Sequence, residues 1–316
     1  MDGTFEYSSE IEEKRKSLVT IAVSEEKEVE GLLYAYLPSE MKTGLPFHIN
    51  ADFYPTPDRK RIIFNINRSV KEMWDVEAIK CAAGILAENA QFLLDLFGPL
   101  RFWFFTEKVS QASEKKEISE EFGRFWELFK DKLPQIPCVL THSGQALKPP
   151  ETIFLNTETQ QKADGILTRV GLKVVHRDLR GWKNLLLKVG VRQLTLQHLV
   201  DIFHRNGWCD RAVQQEEFPE SLQERHGWEV FYQVVHDLHQ NRGDGESLNQ
   251  LAQCAVTLGS DGAFWPASRL VKADSRIWPL FAPLAADLIW MDDHFPDHPF
   301  ESFIRDFDLT MALNVL

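Results

Sequence analysis

Three consecutive cations, Arg59, Lys60 and Arg61, are the residues of this chain whose type and spacing most directly suggest chemistry. They follow Pro55 and Pro57, and two prolines so close together force a loop. Guanidinium and ammonium groups recognise anionic partners such as carboxylate and phosphate. The loop therefore either contacts an anion or is simply a basic turn on a solvated edge of the fold.

His48 and Asn50 lie just before this loop, in the segment 45–53 (LPFHINADF), whose alternating side chains predict a strand. Alternate strand positions face the same side of a sheet. One interpretation is that His48 and Asn50 orient the basic loop through hydrogen bonds. The other, which we favour, is a buried polar pair whose hydrogen bonds are satisfied within the sheet.

Two patterns resemble metal sites. His236 and His239 stand three residues apart on a predicted helix, and the segment 292–298 (DDHFPDH) holds three Asp and two His. The first lacks a third ligand at a recognisable spacing, and Pro296 and Pro299 make the second a loop of usually solvated composition. We therefore predict no metal site. A divalent-metal hydrolase that uses 292–298 is a possible function, but a weaker one than the two other functions described below.

The cysteines give little sign of chemistry. Cys81, Cys138, Cys209 and Cys254 are scattered, without a Cys-x-x-Cys pair. They are typical of buried thiols in a reducing compartment rather than of a disulfide framework or a zinc site. Since the N-terminal segment is acidic and polar, we expect no secretory signal and a cytoplasmic protein.

Composition excludes further classes. The 316 residues carry a net charge of −12, which argues against a general nucleic-acid coat or a binder of anionic membranes. No run of about 18 apolar residues exists to span a bilayer. The 22 Phe and nine Trp residues mostly lie outside motifs that do chemistry, which indicates a packing-rich scaffold. We expect neither a membrane nor a nucleic-acid partner.

The elements that must position these residues predict an α+β fold. Strand patterns at 16–23, 31–37, 45–53 and 61–66 predict an N-terminal antiparallel sheet, the first two strands forming a hairpin and 38–44 a loop. From Asp75, a plausible N-cap, 3.6-residue periodicity predicts a helix to about Phe97, closed by Gly98-Pro99. Residues 106–121 are predicted to form a surface loop running into the next helix. We therefore divide the chain into a β-rich segment, 1–66, and a mainly helical region, 67–316.

The helical region contains further ordered patterns. An aromatic stripe, predicted to be core, lies on a helix after residue 121 and consists of Phe122, Phe125, Trp126 and Phe129. Further helical patterns occupy 157–168, 179–188, 195–206 (with Thr195 as cap and Gly207 as stop) and about 220–240.

Two segments of the chain, 136–155 and 253–271, have similar sequence patterns, and we call this similarity the internal echo. Aligned on Gly144 and Gly262, each segment has an apolar strand, a turn glycine, an apolar pair, a proline and a second apolar strand. The echo predicts two similar hairpin units about 118 residues apart, a period too long for the common short solenoids. Chance resemblance between two hairpins is the alternative.

The segment Tyr36–Arg61 resembles a known family. Leu37-Pro38, the run Thr43–Asn50 (TGLPFHIN), Phe53 and Arg59 match a pattern that follows the ATP-binding domain in sacsin and No-vein-type proteins, within the Hsp90-related GHKL ATPases. The two hairpin units also look like units that recur after the ATPase domain of that family. The resemblance is strong over 31–66 and weak elsewhere.

The resemblance implies a role for the basic loop. In such ATPases a basic residue after the nucleotide domain reaches the γ-phosphate, and Arg59 is the matching position; its neighbours Lys60, Arg61, His48 and Asn50 would form the rest of the contact. The chain departs from the family because it lacks the DxGxG turn and the glycine-rich lid that cradle a nucleotide. We expect the chain alone to bind no cofactor, with ATP and Mg²⁺ held by an ATP-binding domain in cis or in trans.

These expectations define the leading function and its rival. The leading function is that of the non-catalytic middle or transducer region of a sacsin-like ATPase, a fragment or separately encoded part that couples nucleotide state to a client. The rival is a stand-alone protein-interaction scaffold, for example a subunit of a bacterial defence complex. Because no complete active site is present, enzyme activity of the chain itself is left open.

Overall fold

A computed structural model describes residues 18–25, 29–64, 69–114, 120–272, 289–291, 299–308 and 310–311. Its architecture is α+β, as predicted: a four-stranded N-terminal sheet, then a mostly helical region with small sheets. The strands are β1 Val19–Val23, β2 Leu32–Ala35, β3 Leu37–Lys42, β4 Phe47–Ala51, β5 Val139–Leu140, β6 Ala146–Leu147, β7 Ile153–Phe154, β8 Arg192–Gln193, β9 Ala255–Leu258, β10 Phe264–Pro266, β11 Leu270–Lys272, β12 Ile289–Trp290 and β13 Arg305–Asp306. The helices are α1 Val70–Glu88, α2 Ala90–Glu114, α3 Glu120–Lys132, α4 Glu158–Lys162, α5 Asp164–Arg169, α6 Lys183–Lys188, α7 Leu196–Arg205, α8 Glu220–Gln223, α9 Arg225–Arg242 and α10 Gly245–Ala252.

The chain forms two compact units. Unit 1 comprises Met1–Thr152 and His176–Arg192, and unit 2 comprises Ile153–Val175 and Gln193–Leu316. The division that the sequence suggests at residue 66 falls inside unit 1, where the N-terminal sheet and helices α1–α3 belong to one body.

The N-terminal sheet has the strand order β1-β4-β2-β3. Strand β4 pairs antiparallel with β1 and parallel with β2, and β2 pairs antiparallel with β3. The predicted β1–β2 hairpin is therefore wrong, and the sheet is mixed rather than purely antiparallel. The reason is burial: β4 hides Phe47, Ile49 and Ala51 on one face, and such a strand is best placed centrally, with partners on both sides.

Two further strand predictions need correction. The segment predicted as a loop, 38–44, mostly forms the edge strand β3, where polar side chains and a proline are tolerated because one side of the backbone is unpaired. The strand predicted over 61–66 is wrong in its described part, 61–64, where Ile62 makes only an isolated bridge to Pro55.

The first helix begins earlier than its periodicity suggests. Ser69 is the N-cap of α1, and its Oγ accepts a hydrogen bond from Glu72 N at 3.2 Å. Asp75, the predicted cap, lies inside the helix and is buried. The helix ends at Asn89, so the predicted single helix to Phe97 is two helices.

Helix α2 is interrupted where the sequence predicts a stop and continues where it predicts a loop. Gly98 has φ +70° and ψ 167°, outside the helical region, and the helix resumes at Pro99. Residues 106–114 remain helical because Val109 and Ala112 are buried, so the predicted surface loop is wrong over this stretch.

The aromatic stripe on α3 is buried, as predicted. Phe47 of β4 packs against Phe105 of α2 and Phe125 of α3, with ring centroids 5.9 and 5.5 Å apart. Aromatic pairs of this geometry add to the stabilisation from burial. The buried face of β4 is thereby fixed against two helices.

The internal echo corresponds to two equivalent pieces of structure. In the first hairpin Gly144 N donates to Thr141 O at 2.9 Å, and in the second Gly262 N donates to Gly259 O at 3.0 Å. Both glycines are left-handed, with φ +82° and +81°. Each hairpin (β5–β6 and β9–β10) is followed by one 3₁₀ turn and a strand, β7 or β11. The two units therefore share backbone hydrogen bonds as well as sequence.

Unit 2 has an aromatic core of its own. Trp228 of α9 stacks on Phe264 of β10, with ring centroids 4.3 Å apart and planes at 18°. Helix α7 begins after Thr195 and stops before Gly207, which has φ +70°, as the sequence predicts.

Candidate functional site: a basic turn after strand β4

The segment between β4 and the basic turn is anchored to helix α1. Tyr54 N donates to the carboxylate of Asp75 at 2.8 Å, and the indole Nε1 of Trp74 donates to Asp52 O at 3.0 Å. Asp75 is only 1% exposed, so its hydrogen bond to the backbone is shielded from water. Two consecutive residues of α1 thus fix the approach to the turn.

The turn itself is closed by its own hydrogen bonds. Thr56 N donates to Arg61 O at 2.8 Å and Arg59 N donates to Thr56 O at 2.7 Å. The Thr56 hydroxyl donates to Asp58 Oδ1 at 2.6 Å, and the same carboxylate accepts from Lys60 N at 3.1 Å. Thr and Asp at these positions stabilise turns because short polar side chains bond to the local backbone.

These bonds also set the charge of the turn. The hydroxyl of Thr56, followed by the N–H of Lys60, holds the pKa of the Asp58 carboxyl below its ordinary value. Asp58 is therefore ionised at neutral pH, and its carboxylate accepts the hydrogen bonds from Thr56 and Lys60 that close the turn. The net charge of 58–61 is still positive, with three cations against one carboxylate.

Arg59 occupies the strained position of this turn. Its φ is +58°, in the left-handed region that residues with a Cβ rarely adopt. All four residues from Pro57 to Lys60 are exposed. Lys60 Nζ lies 3.5 Å from a Glu40 carboxylate oxygen, an exposed ion pair, whereas within the described residues the Arg59 guanidinium has no hydrogen-bond or ion-pair partner. The Arg61 side chain is likewise exposed and without such a partner among the described residues, so both guanidinium groups of the turn are available to an external anion.

His48 and Asn50 share one face of β4, but the structure does not join them to the turn. His48 Nδ1 accepts a hydrogen bond from Leu32 N at 3.0 Å, and its ring meets Tyr34 edge-on at 5.3 Å. Asn50 is exposed. The hydrogen bond from Leu32 N agrees with the favoured interpretation for His48, whereas the prediction of a buried pair is wrong for Asn50, which lies on the solvent-facing side of the strand.

Of the two metal-like patterns, the structure describes only the pair His236 and His239. His236 is exposed and its Nε2 lies 2.6 Å from the side-chain nitrogen of Gln240, and no third ligand joins it and His239 in the described part of the chain. The segment 292–298 lies outside the described residues.

The predictions for the cysteines differ most from the structure. Cys209 and Cys254 are joined by a disulfide, so the prediction of four buried thiols is wrong for this pair. Cys81 is a free, exposed thiol, and Cys138 alone matches the prediction; burial raises the pKa of its thiol to about 12. His204 lies beside the disulfide. No spacing could have revealed this group, because 45 residues separate the two cysteines.

Comparisons with protein-family models, with curated proteins and with solved structures find no match. No helix in the described ranges combines the length and the apolar character needed to cross a membrane.

Proposed function

We propose that the turn 56–61 is an anion-contacting element of a transducer region, with Arg59 directed at the γ-phosphate of ATP held by a separate, sacsin-like or Hsp90-related nucleotide-binding domain. The observation that carries this proposal is an exposed, unpaired guanidinium on a turn that is closed by internal hydrogen bonds. Because the backbone of the turn is fixed before the anion arrives, contact orders only the Arg59 side chain, which favours stabilisation of a developing phosphoryl charge.

The coupling would run through the base of the turn. Docking of Arg59 would pull on the segment that Asp75 and Trp74 bind, and these two residues are part of α1. Helix α1 packs against α3, so a shift of the turn reaches the aromatic core of unit 1 without passing through a flexible linker. Such a docked and undocked pair of states is the kind of element through which a γ-phosphate controls conformation. ATP and Mg²⁺ belong to the partner domain, and this chain supplies the cationic contact.

The experiment measures steady-state ATP turnover with the ATP-binding domain present, in cis or in trans. We expect Arg59→Ala to lower kcat by roughly 10²-fold while leaving KM for ATP nearly unchanged, because the contact forms mainly in the transition state. Arg59→Lys should recover part of kcat. Arg177→Ala, which removes another exposed arginine of unit 1, is the matched control and should change nothing. Equal turnover of Arg59→Ala and the unmodified protein would remove the proposal.

A second candidate function, a protein-interaction scaffold, rests on exposed apolar side chains in unit 1. Tyr36 is 79% exposed and Leu37 60% exposed at the β2–β3 connection, and Tyr36 has φ +66°. The large exposed apolar residues of the described chain all lie between residues 18 and 128, in unit 1. An aromatic side chain held out on a strained turn is typical of a binding anchor.

The two candidates separate by mutation. If the scaffold function holds, Tyr36→Ser should weaken capture of the natural partner and Arg59→Ala should leave it unchanged. If the transducer function holds, partner capture should strengthen with ATP over ADP, and Arg59→Ala should remove that difference.

A further inference from the structure

Three side chains in unit 2 converge as metal ligands would. The Nδ1 or Nε2 of His204 and the Sγ atoms of Cys209 and Cys254 all lie within 4.8 Å of one another. Among the residues that the structure describes, they are the one group of three or more His, Cys, Asp or Glu side chains with this property. They come from the end of α7, the chain just beyond it, and the start of the second hairpin unit.

A helix-ending motif fixes two of the three. Gly207 N donates to His204 O at 3.0 Å and Trp208 N donates to Phe203 O at 2.9 Å, the paired bonds of a Schellman motif, and Gly207 is left-handed. The hydrophobic contact expected with this motif is present, since the rings of Phe203 and Trp208 lie 5.2 Å apart. The reversal returns Cys209 toward the last turn of α7, beside His204.

Backbone pairing fixes the third. Ala255 N donates to Trp208 O at 2.7 Å and Asp210 N donates to Gln253 O at 3.0 Å. These bonds flank Cys209 and Cys254, which makes them a non-hydrogen-bonded antiparallel pair, the sheet position where opposing side chains are closest. The backbone therefore holds the two cysteines opposite each other independently of the S–S bond.

We propose that His204, Cys209 and Cys254 form a zinc site whose formation depends on reduction of the Cys209–Cys254 disulfide. A dithiol reductant supplies two electrons and two protons: the S–S bond breaks, two thiols form, and the reductant becomes a disulfide. Zn²⁺ then displaces the two thiol protons and binds two thiolates and one imidazole nitrogen. In the oxidised state the sulfur atoms are bonded to each other and are no longer thiolate ligands.

The chemistry and burial of the group favour this assignment. Thiolates with one imidazole are ligands typical of Zn²⁺, and two thiolates on one tetrahedral zinc lie roughly 3.8 Å apart, given Zn–S bonds of about 2.3 Å. Cys254 is fully buried, Cys209 half-buried and His204 exposed, so the metal and the reductant would enter from the His204 side. Three protein ligands leave a fourth position for water or an added ligand.

The test measures zinc binding to the full chain in both redox states. The protein is reduced with a phosphine, freed of reductant without oxygen, and titrated with Zn²⁺ against a chromophoric chelator. We expect one Zn²⁺ per chain in the reduced protein, and at least 10-fold weaker binding in the oxidised protein and in His204→Ala. X-ray absorption of the zinc protein should show two sulfur neighbours and one imidazole.

Matched variants separate this site from adventitious binding. His226→Ala removes another exposed histidine of unit 2, and Cys81→Ser another accessible thiol, and both should bind zinc normally. Cys209→Ser is the preferred cysteine variant because Cys254 is fully buried and its replacement endangers folding. Equal zinc affinity of the oxidised and reduced proteins, or of His204→Ala and the unmodified reduced protein, would overturn the proposal.

Discussion

Replacing Arg59 by glycine removes the guanidinium and, at the same time, the one unfavourable feature of the turn's backbone. Arg59 has φ +58°, a region that costs a residue with a Cβ roughly 1–2 kcal/mol. Glycine avoids that cost but loses about 0.5–1 kcal/mol through the greater freedom of the unfolded chain. The expected net effect of Arg59→Gly is a gain of about 0–1.5 kcal/mol. Arg59→Ala keeps the backbone cost and should be close to neutral, since the replaced side chain is exposed and unpaired.

The assay is scanning calorimetry of the unmodified protein and both variants, in which the unit 1 transition is the one that shifts on substitution at residue 59. Arg59→Gly should melt a few degrees above Arg59→Ala, because about 1 kcal/mol corresponds to roughly 2–4 °C for a unit of this size. If Arg59→Gly instead melts below Arg59→Ala, position 59 is not left-handed and the reasoning on the turn fails. If the prediction holds, Arg59→Gly becomes the better variant for the ATP turnover experiment, because any loss of turnover cannot come from a weakened fold.

Three further predictions concern stability. Burial raises the pKa of the Cys138 thiol from 9.0 to about 12, so on raising the pH the unfolded chain loses the thiol proton before the folded chain does. The free energy of unfolding should therefore fall by up to roughly 4 kcal/mol between pH 9 and 12. The measurement is the part of this alkaline loss of stability that Cys138→Ala abolishes. Gly84→Ala in α1 should stabilise by about 1 kcal/mol in urea titrations because its Cβ meets nothing within 4 Å, whereas Gly227→Ala should destabilise, since its Cβ would lie 1.7 Å from a main-chain oxygen of α8. Gly144→Ala and Gly262→Ala should each cost roughly 0–1.5 kcal/mol, by the same balance as at Arg59; clearly different costs would contradict the equivalence of the two hairpins.

The sequence is most informative where local pattern and burial agree. The aromatic stripe of α3, the α7 boundaries at Thr195 and Gly207, and the paired hairpins around Gly144 and Gly262 were all predictable because each depends on residues close together in the chain. The turn glycines also support the internal echo, since their φ angles, +82° and +81°, differ by one degree.

The sequence is least informative where a distant partner decides. The polar segment Leu37–Lys42 is a strand only because β2 offers it an edge, and 106–114 is helical only because the core of unit 1 covers Val109. The Cys209–Cys254 pair depends on a bridge between residues 45 apart. The position of the basic turn was predictable from its prolines, but its anchoring by Asp75 was not. Asp is a residue type common at helix N-caps, so the sequence favoured a cap at this position rather than a hydrogen bond to Tyr54 N.

The division into two units has a consequence for how this protein can be taken apart. The chain crosses from one unit to the other three times, after Thr152, Val175 and Arg192. A chain shortened at Thr152 would lose Trp182, whose indole donates to Glu107 at 3.0 Å, along with the rest of the returning segment. Each unit is built from two separate stretches of the chain, so no single cut frees either one intact. Exchange of one unit for a foreign counterpart, in the laboratory or in evolution, would require splices in register at all three crossings.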